Sequence, residues 1–249
     1  MGKLIAVVQA RMGSSRLPNK VMKEICGKPM LLLMLERLQR AEKIDEIVVA
    51  TTTEKSDDII VDLAEKNNFQ YFRGSELDCL DRHYQVGEKF GADFITKITP
   101  DCPLIDPVIV DKVLDFYIKN SNKYDYVSNA HPPSYPDGLD IEVFSMSSLK
   151  KAWKEAKEKN EREHTTTYIW SHPKMFRLGN VEMPGKKSLF MQERWTVDYP
   201  EDFEFVKTIY ENLYKEGRIF LMDEILKFLS KRKDIWEINH HLSIHNSVH

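Results

Sequence analysis

Residues 11 to 20 read Arg-Met-Gly-Ser-Ser-Arg-Leu-Pro-Asn-Lys. Arg11, Arg16 and Lys20 place three cations within ten positions. Gly13, Ser14 and Ser15 allow close backbone approach and offer N–H and hydroxyl donors. Such donors suit phosphate. Arginine adds a planar fork for phosphate oxygens, and lysine adds a mobile point charge. A nucleoside triphosphate carries about four negative charges, so a partly dry site needs several cations and a metal to neutralise it. The loop is neither a G-x-x-x-x-G-K-[ST] phosphate loop nor a G-x-G-x-x-G dinucleotide fingerprint. Taken alone, a solvated basic surface explains it equally well.

Two carboxylates extend the chemistry. Asp101 follows a strand ending near Ile98 and stands on a stiff turn ahead of Pro103 and Pro107. Asp198 closes an extended segment just before a helix starting at Pro200. Hard oxygen ligands from two separate positions suit Mg²⁺, which keeps waters and phosphate oxygens besides. At this point Asp101 is also readable as a turn former, and Asp198 as an N-cap. Asp140 and Glu142, two apart in an expected strand, share a face and need a cation or a hydroxyl-rich ligand between them. With Asp137 they are candidate acceptor contacts. An acceptor carboxylate would be welcomed by Arg162, His164 or Arg194. His240, His241 and His245 are assigned to a polar tail, Asn239 to His249, because no cysteine or carboxylate completes a metal set.

The elements that must position these groups follow from hydrophobic pattern. Leu4 to Val8 and Ile47 to Thr51 are continuous apolar runs, as in parallel strands buried on both faces. Phe69 to Phe72 and Phe94 to Ile98 are the next strands, and Tyr124 to Ser128 another. Between them lie a polar loop over 11 to 28, a helix from Pro29 to about Ala41, a Ser56-capped helix from Asp57 to Lys66, a helix from Leu77 to Phe90, and one opened by Pro107. This alternation predicts a three-layer α/β/α domain with a mostly parallel sheet, whose ligands bind at the carboxyl ends of the strands. The second half is less regular. Leu139 to Phe144 is an expected strand, Ser147 to Lys159 a charged helix, and 161 to 171 a shorter one. Met175 to Met183 and Glu193 to Val197 are expected to be extended, and Pro200 to Lys215 and Met222 to Ser230 helical.

Composition bounds the answer. The 249 residues carry a net charge of −3 with a pI of about 6.3, so no overall basic field invites nucleic acid. Cys26, Cys79 and Cys102 form no C-x-x-C, which argues for a reducing cytoplasm rather than a disulfide framework. No apolar run approaches the ~20 residues of a membrane span.

Ala10 to Lys20, with Gly27-Lys28-Pro29-Met30-Leu31 after it, resembles the signature of cytidylyltransferases that activate sugar acids, the CMP-Kdo and CMP-sialic acid synthetases. The likeness is strongest to the SpsF-like spore coat polysaccharide branch. Its further motifs are Arg73 to Glu76 with Asp78 to Arg82, Thr99 to Pro107, Pro136 to Phe144, Glu161 to Thr165 and Arg194 to Phe203. The resemblance implies a fold of the nucleotide-diphospho-sugar transferase type, with a single domain over 1–230. The irregular pattern of the second half adds an expected small inserted lobe within 130–190, and the polar end a C-terminal helix and tail over 231–249. The resemblance further implies CTP and a sugar-acid acceptor, with Mg²⁺ held by Asp101 and Asp198. Arg11, Lys20 and Asp101 would be catalytic. Ala10, Arg11, Gly13, Ser14, Ser15, Arg16, Lys20, Arg73, Asp81 and Arg82 would bind the nucleotide. Asp137, Asp140, Glu142, His164 and Arg194 would bind the acceptor. Relatives of this kind usually form homodimers, for which the 160–190 segment is the candidate interface. A phosphorylated acceptor, served by Lys186 and Lys187, is the second expectation, and a non-catalytic nucleotide-binding partner the third.

Overall fold

The computed structural model describes residues 2–185 and 188–245. In the first half, β1 (Leu4–Gln9) leads to a hairpin of β2 (Glu24–Ile25) and β3 (Lys28–Pro29). Then come α1 (Met30–Leu38), β4 (Glu46–Thr52), α2 (Asp58–Lys66), β5 (Gln70–Gly74), α3 (Cys79–Phe90), β6 (Phe94–Ile98) and α4 (Pro107–Lys119). The second half adds β7 (Tyr126–Ser128), β8 (Glu142–Ser145), α5 (Met146–Glu155), α6 (Lys159–Glu163), α7 (Thr167–Ser171) and β9 (Leu178–Asn180). It ends in α8 (Pro200–Leu213), α9 (Met222–Leu229) and α10 (Lys233–His245).

The central sheet runs β5-β4-β1-β6-β8-β7-β9. Its first four strands are parallel, β8 is antiparallel to both neighbours, and β9 is parallel to β7. Strand residues alternate between two faces. Leu4, Ala6, Val8 and Ile98 pack with Leu31, Val110 and Phe205, whereas Ile5, Val7, Ala50 and Ile95 pack with Leu80, Val86 and Leu149. Helices thus cover both sides of β1, which explains its unbroken apolar run. Among the described residues, no helix is long and apolar enough to cross a membrane.

Several expected boundaries move. Ser56 does not cap α2: it lies in a short 3₁₀ turn, Lys55–Asp57, and the capping position is Asp57 with no side-chain cap. The Asp57 carboxylate is instead engaged by Met12 N and Thr52 Oγ1. The helix expected from Leu77 begins at Cys79, where Asp78 accepts from Asp81 N at 2.8 Å. The charged helix over 147–159 is two helices, α5 and α6, and 161–171 is likewise broken ahead of α7. Glu193 to Val197 is not a strand; Arg194 alone bridges to Asp137. The expected tail from Asn239 is helical through His245, because Asn239 is a buried anchor bonded to Arg194 O and Asp202 Oδ1.

Candidate active site

The basic loop leaves the carboxyl end of β1 at the centre of the sheet. Met12 N donates to Asp57 Oδ1 at 2.7 Å, and Ala10 N to Ala50 O at 3.0 Å, tying its start to β4 and the turn beyond. Asn19 adopts a left-handed φ of 60°, after which a 3₁₀ turn (Lys20–Met22) aims Lys20 inward.

Lys20 Nζ lies 3.2 Å from Asp101 Oδ2, 3.1 Å from Asp198 Oδ1 and 2.7 Å from Val197 O. Burial alone would lower the pKa of this ammonium. Asp101 and Asp198 outweigh burial and raise it. Burial likewise opposes ionisation of Asp101, and Lys20 reverses that, holding the carboxyl below its ordinary value. Arg16 reaches Asp198 Oδ1 at 2.8 Å while lying over the Tyr199 ring. Arg11 meets Glu76 across the mouth at 3.4 Å.

Asp101 is fixed by its surroundings. Val197 N donates to Asp101 O at 2.8 Å, and Thr196 Oγ1 to the same oxygen at 3.3 Å. The rest of that turn is gripped from below, where Arg37 donates to Leu104 O and Ile105 O, and Tyr210 OH to Pro103 O. Asp198 is not an N-cap. Asp202, the third residue of α8, accepts from Asp198 N and Tyr199 N, both at 3.0 Å, so it supplies the cap from within the helix. That leaves the Asp198 carboxylate to Lys20, Arg16 and Arg194.

Arg194 faces inward, not toward a ligand. Its side chain is 2% exposed, with Nε and Nη2 each 2.9 Å from the two Asp202 oxygens, Nη1 3.1 Å from Asp137 and Nη2 3.4 Å from Asp198. Gly138 permits this approach: its φ is +106°, and a Cβ there would sit 2.6 Å from Thr196 N. Burial and the neighbouring Asp101, Asp198 and Asp202 push Asp137 up to about 6, against the pull of Arg194.

Glu142 and Asp140 do have a cation beside them, and it belongs to the chain. Lys97 on β6 pairs across the sheet with Glu142 on β8, with Nζ 2.6 Å from Oε1. Tyr126 OH donates to the other oxygen at 2.6 Å. Burial would raise Glu142, but Lys97 wins and holds it at about 2. Burial, Asp137 and Glu142 push Asp140 up to about 7. Glu142, 8% exposed and doubly bonded, is therefore wall structure rather than a free acceptor contact.

These groups surround a cleft of about 400 Å³. Ala10, Arg11, Gly13, Ser14, Ser15, Arg16 and Lys20 line one wall. Asp101, Asp198, Arg82 and His164 line the cleft too. Gln9, Val21, Cys79, Lys97, Thr99, Pro100 and Glu163 complete it. Of these, Lys97 had a signal: a lysine inside the strand Phe94–Ile98. Arg73 and Asp81 do not line the cleft. Arg73 donates to Thr52 O, Asp58 Oδ1 and Glu54 O, bracing the turn after β4. Asp81 turns to Trp153 Nε1 and Gln85. Arg82 is buried, 2% exposed. Asp137, Asp140 and Arg194 stand behind the lining. Lys186 and Lys187 lie outside the described residues. A larger hollow of about 680 Å³, between Lys28, Glu36 and Tyr214, contains none of the predicted site residues.

Asp101 and Asp198 converge on one point, now met by Lys20. Among the described residues, no group of three His, Cys, Asp or Glu side chains could enclose a metal. Two carboxylates lining one cleft and facing a point that already holds a cation, Lys20 Nζ, are hard oxygen donors of the kind Mg²⁺ takes, so the residue types fit that ion.

The cytidylyltransferase family model matches residues 5–233. The protein MJ1063 of Methanocaldococcus jannaschii is 39% identical over 241 residues, covering 95% of this chain and 94% of that one. The spore coat polysaccharide biosynthesis protein SpsF of Bacillus subtilis is 30% identical over 239 residues, covering 94% and 97%. A solved cytidylyltransferase from Leptospira borgpetersenii superposes with a TM-score of 0.88 at 31% identity, over 94% of this chain and 97% of that one.

Proposed function

The chain belongs to the cytidylyltransferase family, and from that premise we propose that it transfers CMP from CTP to a hydroxyl of a sugar acid, releasing pyrophosphate, in the synthesis of a surface polysaccharide. The observation that carries the reading is Lys20 set between Asp101 and Asp198 beneath the basic Gly-Ser loop. The likeness to SpsF supports the polysaccharide, and the motif resemblance to CMP-Kdo and CMP-sialic acid synthetases supports the acid.

Arg11, Arg16 and Lys20 hold the triphosphate and orient its α-phosphorus. The acceptor hydroxyl oxygen attacks that phosphorus and releases its proton to solvent as the bond to pyrophosphate breaks, and charge grows on the leaving oxygens. The cations of this wall meet that charge, Lys20 and Arg16 from beside Asp198 and Arg11 from beside Glu76. Mg²⁺, held by Asp101 and Asp198, would supply further neutralisation and polarisation of the phosphate. Arg194, Asp202 and Gly138 keep Asp198 aimed. A cytoplasmic setting goes with this reading, in keeping with three free cysteines. So does a homodimer through the 160–190 segment, where Trp170 and Met175 are exposed apolar side chains. Light scattering of the purified chain tests the dimer.

The decisive assay is pyrophosphate release, with each of the four NTPs, against sugar acids and sugar phosphates, with and without Mg²⁺. The expected result is release with CTP and an acid, abolished by EDTA. Activity only with a sugar 1-phosphate would move the function to the second reading. Metal-dependent release of any kind excludes a non-catalytic partner.

A further inference from the structure

Arg82 is a buried charge without a counter-charge. It sits on the first turn of α3, where Nη1 donates to Ser75 O and Nη2 to Cys79 Sγ, while Nε has no partner. It makes no ion pair with any described residue. Arg37, also buried without a carboxylate and with Nη1 unpartnered, donates to three backbone carbonyls but does not line the cleft. Arg82 has one carbonyl and a thiol, and it lines the cleft. A dehydrated guanidinium is costly unless an anion meets it.

A second cation stands near it. Lys97 lines the same cleft with its side chain 12% exposed, and Glu142 is its single hydrogen-bond partner among the described residues. Both cations act on one ring: burial pushes His83 down to about 3, and Arg82 and Lys97 push it the same way. The triphosphate already has its own wall in Arg11, Arg16 and Lys20. Cytosine and ribose are uncharged and offer a buried cation nothing comparable. The remaining anion is the acceptor's. Arg82 gives two of its five N–H groups to Ser75 and Cys79, and Lys97 one of its three to Glu142, so donors remain on both for the oxygens of the acceptor's carboxylate.

We infer that Arg82 and Lys97 form a second anion subsite, which holds the carboxylate of the acceptor while the nucleotide's phosphates stay on the Arg11–Lys20 wall. The inference rests on the proposed cytidylyl transfer. It departs from the family resemblance, which sets Arg82 beside the cytidine.

The test compares the wild type with Arg82→Lys, Arg82→Gln and Lys97→Gln. Calorimetry measures CTP binding with Mg²⁺ and no acceptor. Pyrophosphate release then gives KM and kcat for the sugar acid that the wild type converts. The expected result is CTP affinity within about twofold of wild type, with acceptor KM raised on the order of 10- to 100-fold and kcat changed less, as for a lost charged hydrogen bond. Arg82→Lys should recover part of the loss. The nucleotide measurement decides whatever the acceptor's identity: a tenfold or greater loss of CTP affinity in a folded variant gives these cations to the nucleotide and overturns the inference. A sugar phosphate outperforming every sugar acid overturns the carboxylate. Should Arg82→Gln fail to fold, Lys97→Gln and Arg82→Lys carry the same comparison. Failure of the wild type to bind CTP would instead strike the underlying reading, a result separable from all the others.

Discussion

Replacing Arg194 by methionine removes the hub behind Asp198 while preserving side-chain volume. Two charge-assisted bonds to Asp202 at 2.9 Å are lost, with one to Asp137 at 3.1 Å and a longer contact to Asp198. Asp202 is fully buried, and Asp198 N, Tyr199 N and Asn239 Nδ2 still donate to it. Removing one partner of a buried pair costs about 3–5 kcal/mol, and the surviving donors place this case near the lower end, about 3–4 kcal/mol. For a chain of this size each kcal/mol moves the melting midpoint by about 2–4 °C, so the expected drop is about 6–16 °C. Calorimetry measures it, and urea titration checks the free energy at 25 °C. Arg194→Lys should fall between, since an ammonium cannot reproduce the fork. Combining Arg194→Met with Asp202→Asn should cost less than the sum of the two, because both break one network. A loss below about 1 kcal/mol, as for an exposed ion pair, would refute the assignment of Arg194 as an internal brace.

Lys20→Ala and Asp101→Asn should each lower turnover by about 10²-fold or more, read as pyrophosphate release; near-normal rates in both would remove them from the reaction. Glu142 titrates at about 2 in the fold against an ordinary 4.5, so its stabilisation is whole above 4.5 and lost as pH falls toward 2. Glu142→Gln should flatten the acid limb of stability across that window in denaturant titrations. Asp140 has the opposite sign: raised to about 7 from 3.8, it binds its proton more tightly when folded, so its contribution declines as pH rises from 3.8 to 7. Asp140→Asn should therefore gain stability over wild type at pH 8, and an unchanged midpoint there would contradict the burial of that carboxyl.

The parts of the molecule that sequence made legible are those whose signal is local. An unbroken apolar run in Leu4 to Val8 announces a strand covered on both faces, and a glycine-serine turn with cations announces a loop at its carboxyl end. Asp101 was legible because prolines stiffen its turn. The roles that stayed hidden depend on pairing between distant segments. Lys97 and Glu142 meet only because β8 runs antiparallel against β6 in one register, which nothing local specifies. Arg194 reads as a ligand-facing cation until its fork is found on Asp202. Asp198 reads as a cap until the carboxylate of Asp202, inside the helix, satisfies the same backbone groups. Arg73 and Asp81 carry the right charge in the right motif, yet Asp58 and Trp153 claim them.

The bond from Lys20 Nζ to Val197 O joins residues 177 positions apart, and Val197 N in turn holds Asp101 O. Contacts so distant in sequence close late, because chain entropy must be surrendered before they repay it. The strand pairing of β5, β4, β1 and β6 uses none of residues 194–202. During refolding, secondary structure should therefore return before the capacity to process nucleotide. A mixture of molecules that all look folded by circular dichroism would at first be inert, with activity emerging in a later phase as the two distant aspartates are brought to the same lysine.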